Sequence, residues 1–144
     1  MIYTIYNPQT GEIQHTVSGL DTDQVEANLS GRSYIAGDYN STESYIVDGA
    51  AVSKPPRPDS DTHHYKFDYV TKTWQIDVDQ STMRSRQHRN LLLATVDQIN
   101  PVWFNSLTTQ QQTELAEYRQ ALLDVPQQSG FPTQVNWPAK PTWI

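Results

Sequence analysis

The sequence predicts an α+β fold, in which a small antiparallel β unit precedes a pair of C-terminal helices. Three observations support this class: apolar and polar residues alternate in the first half, prolines interrupt the centre, and apolar residues recur at helical spacing in the last third. We therefore expect a β-rich domain at 1–53, a Pro-rich linker at 54–64, an aromatic β-hairpin at 65–79, and a helical hairpin with an extended Pro/Trp tail at 80–144.

The N-terminal segment begins with a predicted β-hairpin. Met1–Tyr6 is rich in Ile and Tyr, and alternation resumes over Glu12–Val17. The residues between them, Asn7–Gly11, have the composition of a turn, because Asn and Pro favour turn entry and Gly accepts a positive φ. These segments are therefore expected to pair as antiparallel strands.

Short elements follow this hairpin. We expect a helix over Asp21–Leu29, ended by Gly31, and strands over Ser33–Ala36 and Tyr45–Val47. Asp48-Gly49 comes directly after the last of these strands and is the pair that a type I′ turn requires. A tight hairpin leading into Ala50–Val52 is the expected result.

The centre of the chain changes from a linker to an aromatic hairpin. Lys54–Pro58 contains three prolines, which favour an extended linker, and Asp59–His64 continues it as a solvated segment. Tyr65–Val70 and Trp74–Val78 then alternate aromatic or aliphatic residues with polar ones. Because an isolated hairpin is marginal in water, this one needs support from other parts of the chain or from a partner.

Two helices are predicted after residue 80. Ser81 is expected to cap the first, which runs to about Gln98 before Asn100-Pro101 ends it. Thr108 and Gln111 have the spacing of a capping box for the second, over Thr109–Asp124. The pair is expected to form an antiparallel hairpin, and its loop packs these large residues between the helices: Trp103, Phe104 and Leu107.

The segment after the second helix is too rich in proline to be helical. Each proline fixes its own φ and favours an extended conformation in the residue before it. The tail is therefore expected to be stiff, with Phe131, Trp137 and Trp143 along one strip. Such a strip must lie on the helices of the chain itself or on another protein, and the sequence leaves both open.

Charge and composition exclude several functions. The net charge is −6, and residues 1–83 hold 5 basic and 12 acidic side chains. An acidic chain is a poor candidate for nucleic-acid binding, which depends on neutralising phosphates. Cysteine is absent, so no disulfide or thiolate metal site is expected. The longest apolar run, Leu91–Ala94, is far too short for a membrane span, and the N-terminus does not resemble a secretory leader.

No catalytic, cofactor or metal site is expected. Asp59, Asp61, His63 and His64 are close in sequence, but adjacent side chains of an extended segment point in opposite directions, so a solvated linker is the expected state. None of the four histidines lies in a nucleophile or acid–base motif, and no glycine-rich phosphate loop is present. We therefore expect a protein that is not an enzyme.

One basic cluster remains, formed by Arg84, Arg86 and Arg89 beside His88. Arg86 and Arg89 are three residues apart and share a helical face. The cluster has three possible roles: solubilising charge or pairing with the acidic half of the chain, binding to an acidic protein, and, least expected, binding to nucleic acid.

The residues after position 83 form an ordered set of motifs. An Arg-rich helix leads to Leu91-Leu92 and Asp97, and a Tyr-Arg-Gln-Ala-Leu helix then leads to these residues: Pro126, Gly130-Phe131-Pro132 and Trp137-Pro138. In this order the segment Arg84–Pro141 resembles the C-terminal domain of bacteriophage tail assembly chaperone proteins, also described as tail fibre assembly proteins. Gln98 departs from the pattern, since the family often has Trp there, and Trp103 is the candidate to fill that space.

The resemblance implies a non-enzymatic phage tail protein whose helical hairpin and tail bind a tail, tail fibre or baseplate protein. The expected partner-binding residues are Arg84, Arg86, Arg89, Tyr118, Arg119, Phe131, Trp137 and Trp143. The protein would act as a small virion subunit or as an assembly chaperone, in the virion tail or the host cytoplasm, with several copies on a trimeric or hexameric component. A general adaptor unrelated to phage, or a nucleic-acid binder using Arg84–Arg89, are the alternatives.

Overall fold

A computed structural model describes all residues, 1–144, and confirms the α+β class with seven strands and four α-helices. The chain forms two compact units, which are described separately: 1–58 with 67–75, and 59–66 with 76–144. The division into four segments stays a prediction.

The first unit is built on a three-stranded antiparallel sheet in the order β2-β1-β3. Its elements are β1 (Ile2–Tyr6), β2 (Ile13–Ser18), α1 (Thr22–Leu29) and β3 (Ser33–Ala36), which confirms the predicted elements. Tyr3 and Ile5 of the central strand pack with Val25 and Leu29 of α1 to form its core. The helix begins at Asp21 as predicted: the Gln24 side chain accepts from the Asp21 backbone N–H at 3.3 Å, and the Gln24 N–H donates to the Asp21 carbonyl at 2.9 Å.

A second hairpin, β4 (Ser44–Val47) and β5 (Ala50–Ser53), confirms the type I′ prediction. Asp48 and Gly49 both have positive φ, 49° and 75°. This hairpin meets the turn after β1 at Gly11, whose carbonyl accepts a 2.9 Å hydrogen bond from the Ile46 N–H. A Cβ at Gly11 would lie 2.1 Å from the Ile46 carbonyl oxygen, so the contact requires glycine.

The third hairpin is β6 (Tyr65–Asp68) and β7 (Thr73–Ile76), and its tip belongs to the first unit. Phe67 lies 5.3 Å from Trp74 and 5.4 Å from Tyr45 between ring centroids. The Lys54 ammonium lies 4.7 Å above the Phe67 ring, and the Trp74 indole donates to the Pro55 carbonyl at 2.8 Å. The start of the predicted linker is therefore anchored by cation–π and hydrogen-bond contacts.

The second unit contains α2 (Val78–Asp97), α3 (Pro101–Ser106) and α4 (Thr109–Asp124). The prediction that Ser81 caps the first helix was wrong: Asp77 caps it, accepting from the Gln80 N–H at 3.1 Å, so the helix already includes Val78. Ser81 is fully buried instead. The capping box of Thr108 and Gln111 is confirmed.

The connection between the long helices was predicted as a loop and is a helix, α3. Asn100 caps it by accepting from two backbone N–H groups. Pro101 occupies the first helical position, where a backbone N–H would have no partner within the helix. Phe104 reaches the core, whereas Trp103 is 39% exposed and therefore does not lie between the helices as predicted.

The core of this unit lies between α2 and α4. It consists of Val96, Leu115, Tyr118 and Leu122, all buried. Full burial of one such aliphatic side chain contributes about 1.5–3 kcal/mol. Trp143 and Ile144 pack against the same cluster, so the end of the chain returns to the helices.

Candidate partner-binding surfaces of the helical unit

The tail begins with a closed loop. After a 3₁₀ turn at Val125–Gln127, the Gln128 side chain forms two 2.8 Å hydrogen bonds with the backbone of Asn136, one to its carbonyl and one from its N–H. Within the loop Phe131 is half-buried and Pro132 is buried. The loop closes on itself through side-chain and backbone hydrogen bonds, which the sequence pattern did not indicate.

The two tryptophans of the tail lie on α2 and α4. The Trp137 ring meets the His88 ring edge to face, with centroids 4.7 Å apart. The Trp143 indole N–H donates to the Glu114 carboxylate at 2.7 Å, and its ring is 6.3 Å from Trp103. Of the two supports that the sequence left open, the helices of the chain hold one face of each ring, and both rings stay half-exposed.

Between these two tryptophans the tail stands away from α4. Residues 138–142 and α4 border an open cleft of about 450 Å³, which Glu117, Tyr118 and Ala121 line from the helix. The ring and hydrogen-bond contacts that flank this stretch are those of Trp137 with His88 and of Trp143 with Glu114.

The basic cluster lies on α2 with little neutralisation. Arg84 is half-buried and approaches the His63 carbonyl at 3.4 Å, while Arg89 donates to the Asn90 side chain at 2.8 and 3.1 Å. Arg86 is exposed and makes no hydrogen bond within the helical unit. None of the three forms an ion pair with a carboxylate of this unit, so their charges remain available to a partner.

Tyr118 and Arg119 are adjacent in sequence but differ in environment. Tyr118 is 6% exposed in the core, and burial raises the pKa of its phenol. Arg119 lies on the surface, where its Nε donates to Asp97 at 2.7 Å. That hydrogen bond, with the attraction between the two charges, raises the pKa of the guanidinium, which therefore stays charged.

An apolar groove lies between α2, α3 and α4 and was not predicted from the sequence. The groove has a volume of about 330 Å³ and is lined by Val96, Ile99, Pro101, Phe104, Leu115 and Ala116, together with Asp97 and Arg119. The only signal in the sequence was the recurrence of apolar residues at 96, 99 and 104, of which Phe104 was predicted to pack between the helices from a loop. Pro101 and Phe104 line the groove from α3, which is a helix rather than the predicted loop.

Ser60–His64 is not the solvated linker that was predicted. The His64 N–H donates to Ser81 Oγ at 2.9 Å, and His63 Nε2 lies 3.0 Å from the Thr133 carbonyl, which can only accept a hydrogen bond. Nε2 of His63 therefore carries the hydrogen, and Nδ1 faces the Ser60 hydroxyl at 3.1 Å. These polar side chains tie the segment to α2 and to the tail.

Ser81, His64 and Asp77 lie close together but do not have the geometry of a catalytic triad. Ser81 Oγ donates to the His64 backbone carbonyl at 3.3 Å rather than to the imidazole, and Ser81 is fully buried. His64 Nδ1 is 3.9 Å from Asp77, beyond hydrogen-bond distance. No group of three or more His, Asp or Glu side chains is arranged to hold a metal ion.

None of the helices combines the length and apolar character needed to cross a membrane. No curated protein and no solved structure matches the chain. The family model described as phage tail assembly chaperone protein matches residues 82–142, which includes most of α2, all of α3 and α4, and nearly all of the tail. The helical part of this chain is therefore similar to the phage tail assembly chaperone family, as its motifs predicted, and this similarity indicates a role in phage tail assembly.

Proposed function

We propose that this protein is a non-enzymatic phage tail protein that binds a tail, tail fibre or baseplate component through its helical unit. One observation carries the proposal: within the family-matched segment, α2 presents arginines that no carboxylate of the unit neutralises. Charged groups on an exposed helix steer association with a surface of opposite charge. An acidic region of the tail component is the surface that these arginines fit.

Several residues predicted from the sequence keep distinct roles in this proposal. Arg86 and Arg89 contact the acidic partner, and the exposed faces of Trp137 and Phe131 add apolar contacts, since aromatic residues are enriched at interface centres. Tyr118 and the buried face of Trp143 support the surface from below. Arg84, which is directed to the His63 carbonyl, adds positive charge to the same helix.

The non-enzymatic part of the proposal has chemical support. The imidazoles of His63 and His88 contact the tail. The Ser81 hydroxyl, which lies near His64, is buried and donates to the His64 backbone carbonyl. A nucleophile must reach both its base and a substrate.

Trp137→Ala tests the contribution of the tail. We expect weaker binding to the tail component and a nearly unchanged melting temperature, because the ring is half-exposed and touches the helices mainly through His88. Trp137→Phe is the control, since it keeps an aromatic face and should retain most binding. A loss of folding in Trp137→Ala, with no separate binding defect, would show that the tail serves only the core.

Two modes of action fit this proposal: a small structural subunit of the virion, in the tail, and an assembly chaperone that stays in the host cytoplasm. Quantitative mass spectrometry of purified particles and of the infected-cell lysate separates them. A fixed copy number per particle, at a multiple of three or six, identifies a subunit on a trimeric or hexameric component. Abundance in the lysate with none in the particle identifies a chaperone.

Binding to nucleic acid is the outcome that would contradict the proposed partner class. A salt-dependent shift of double-stranded DNA that Arg86→Glu abolishes would assign the arginines to phosphate instead. If the protein from infected cells co-purifies with host proteins and with no phage tail protein, it is an adaptor unrelated to the tail.

A further inference from the structure

The apolar groove has the chemistry of a site for a protein side chain rather than for a small polar ligand. Its volume, about 330 Å³, is at the lower end of the roughly 300–1,000 Å³ range of ligand pockets. Small-molecule sites also need a few convergent polar groups that orient the ligand. The two charged residues of the groove are already joined to each other at 2.7 Å, so few polar atoms remain to orient a substrate.

The groove and the basic cluster lie along one line of the same helix. Arg86 and Asp97 are eleven residues apart, which is close to three helical turns and about 16 Å. They therefore project from nearly the same side of α2, with the exposed Asn90 one turn from Arg86 between them. A partner segment that lies along this line meets positive charge at one end and the groove at the other.

Charge decides which kind of segment fits. Arg86 is exposed without a hydrogen bond, whereas the charge of Arg119 at the groove is neutralised by Asp97. The positive field is therefore strongest away from the groove, towards the N-terminal end of the line. A segment of complementary chemistry places acidic residues beside Arg86 and an apolar side chain in the groove.

We infer that the apolar groove receives an apolar anchor of an acidic, amphipathic segment of the phage tail component, and that Arg86 pairs with the acidic end of that segment. This inference rests on the proposed function and adds the docking surface and the chemistry of the segment. A helical segment of about three turns spans the line, as in other complexes where an amphipathic helix lies in a groove.

Two substitutions test the two ends of the line. Ala116→Arg introduces a long charged side chain into the groove at an exposed helical position, so the fold is retained while the anchor is excluded. We expect it to weaken binding at least tenfold at all salt concentrations. Arg86→Glu should weaken binding about three- to tenfold at low salt and less at high salt, because exposed charges are screened.

Each variant has a matched control elsewhere in the chain. Ala27→Arg makes the same substitution at an exposed position of α1. Arg57→Glu makes the same charge change at an exposed position of the first unit. Both controls should bind within twofold of the wild-type protein. Far-UV circular dichroism and thermal unfolding of all four variants verify that they are folded.

The experiment starts with affinity capture of the tagged full-length protein from infected cells. Mass spectrometry identifies the bound phage tail protein, which is then purified and titrated against the wild-type protein and the variants by calorimetry. Hydrogen–deuterium exchange of the wild-type complex provides a readout without mutation, and should show protection at residues 96–104 and 115–119.

The outcomes distinguish failure of this inference from failure of the proposed function. If the wild-type protein captures no phage tail protein, the proposed function fails. If it captures one and Ala116→Arg binds it as tightly as the wild-type protein, the docking surface is wrong while the function stands. If the wild-type protein alone self-associates in sedimentation and Ala116→Arg abolishes this, the groove holds a second copy and the inference is overturned.

Discussion

The hydrogen bond between Trp143 and Glu114 attaches the end of the tail to α4, and removing its donor should loosen that attachment. Trp143→Phe keeps an aromatic ring but removes the indole N–H that donates at 2.7 Å. Hydrogen bonds to charged groups contribute about 1.5–3 kcal/mol, and partial exposure lowers this because water replaces the lost partner. We therefore expect the free energy of unfolding to fall by about 1 kcal/mol.

A decrease of that size should lower the melting temperature by about 4–8 °C for a unit of 60–100 residues. Circular dichroism at 222 nm follows the helical unit, which contains three of the four α-helices. Trp137→Phe is the matched control, because it removes similar ring area and its indole N–H makes no hydrogen bond within this unit.

A double-mutant cycle with Glu114→Ala isolates the pair. We expect a coupling energy of about 1 kcal/mol between the two substitutions. Equal destabilisation by the two Trp→Phe variants, or a coupling indistinguishable from the roughly 0.3–0.5 kcal/mol deviation seen for distant sites, would refute the view that this bond fixes the tail.

Further substitutions test each unit and its pH dependence. Gly11→Ala should destabilise the first unit by about 2–3 kcal/mol in urea unfolding, because a clash with the Ile46 backbone adds to the roughly 1–2 kcal/mol cost of a left-handed residue. Gly31 has a similar φ of 77° but open space around it, so Gly31→Ala should show only the roughly 1–2 kcal/mol cost of the left-handed conformation. Leu122→Ala should cost the helical unit about 2–5 kcal/mol in the same assay, whereas the exposed Leu91→Ala should change it by less than about 0.5 kcal/mol. Because burial raises the pKa of Tyr118, its neutral phenol supports folding below pH 10, and this support is lost as the pH rises through the folded pKa. Melting temperatures above pH 10 should therefore fall less steeply in Tyr118→Phe than in the wild-type protein; parallel curves would contradict this.

Local signals determined the short elements of this protein. Asp48-Gly49 specified its hairpin because few residue pairs accept two positive φ values, and Thr108 with Gln111 specified the start of α4 because the pair satisfies its free N–H groups. The motifs from Arg84 onwards also predicted the similarity of this segment to the phage tail assembly chaperone family. Each of these signals depends on a few neighbouring residues, so the structure it specifies can be predicted without the tertiary structure.

Competing caps and competing helix signals were resolved only in three dimensions. Asp77 and Ser81 are both good caps, and Asp77 caps α2 while the Ser81 hydroxyl is used by the backbone of His64. Asn100-Pro101 follows the end of α2 and begins α3, whereas the sequence predicted only the end of the first helix there. Local chemistry allows either outcome in each case, and packing selects one.

The sequence by itself determined the α+β class, the hairpin turns, the basic cluster and the resemblance to phage tail assembly chaperones, because these depend on residue type and short spacing. Only the tertiary structure decided which tail residues face their own helices, that Tyr118 is buried, and that a groove lies beside Asp97 and Arg119. Those features depend on contacts between residues far apart in the chain, such as Trp143 with Glu114, and short-range patterns do not encode which distant surfaces meet.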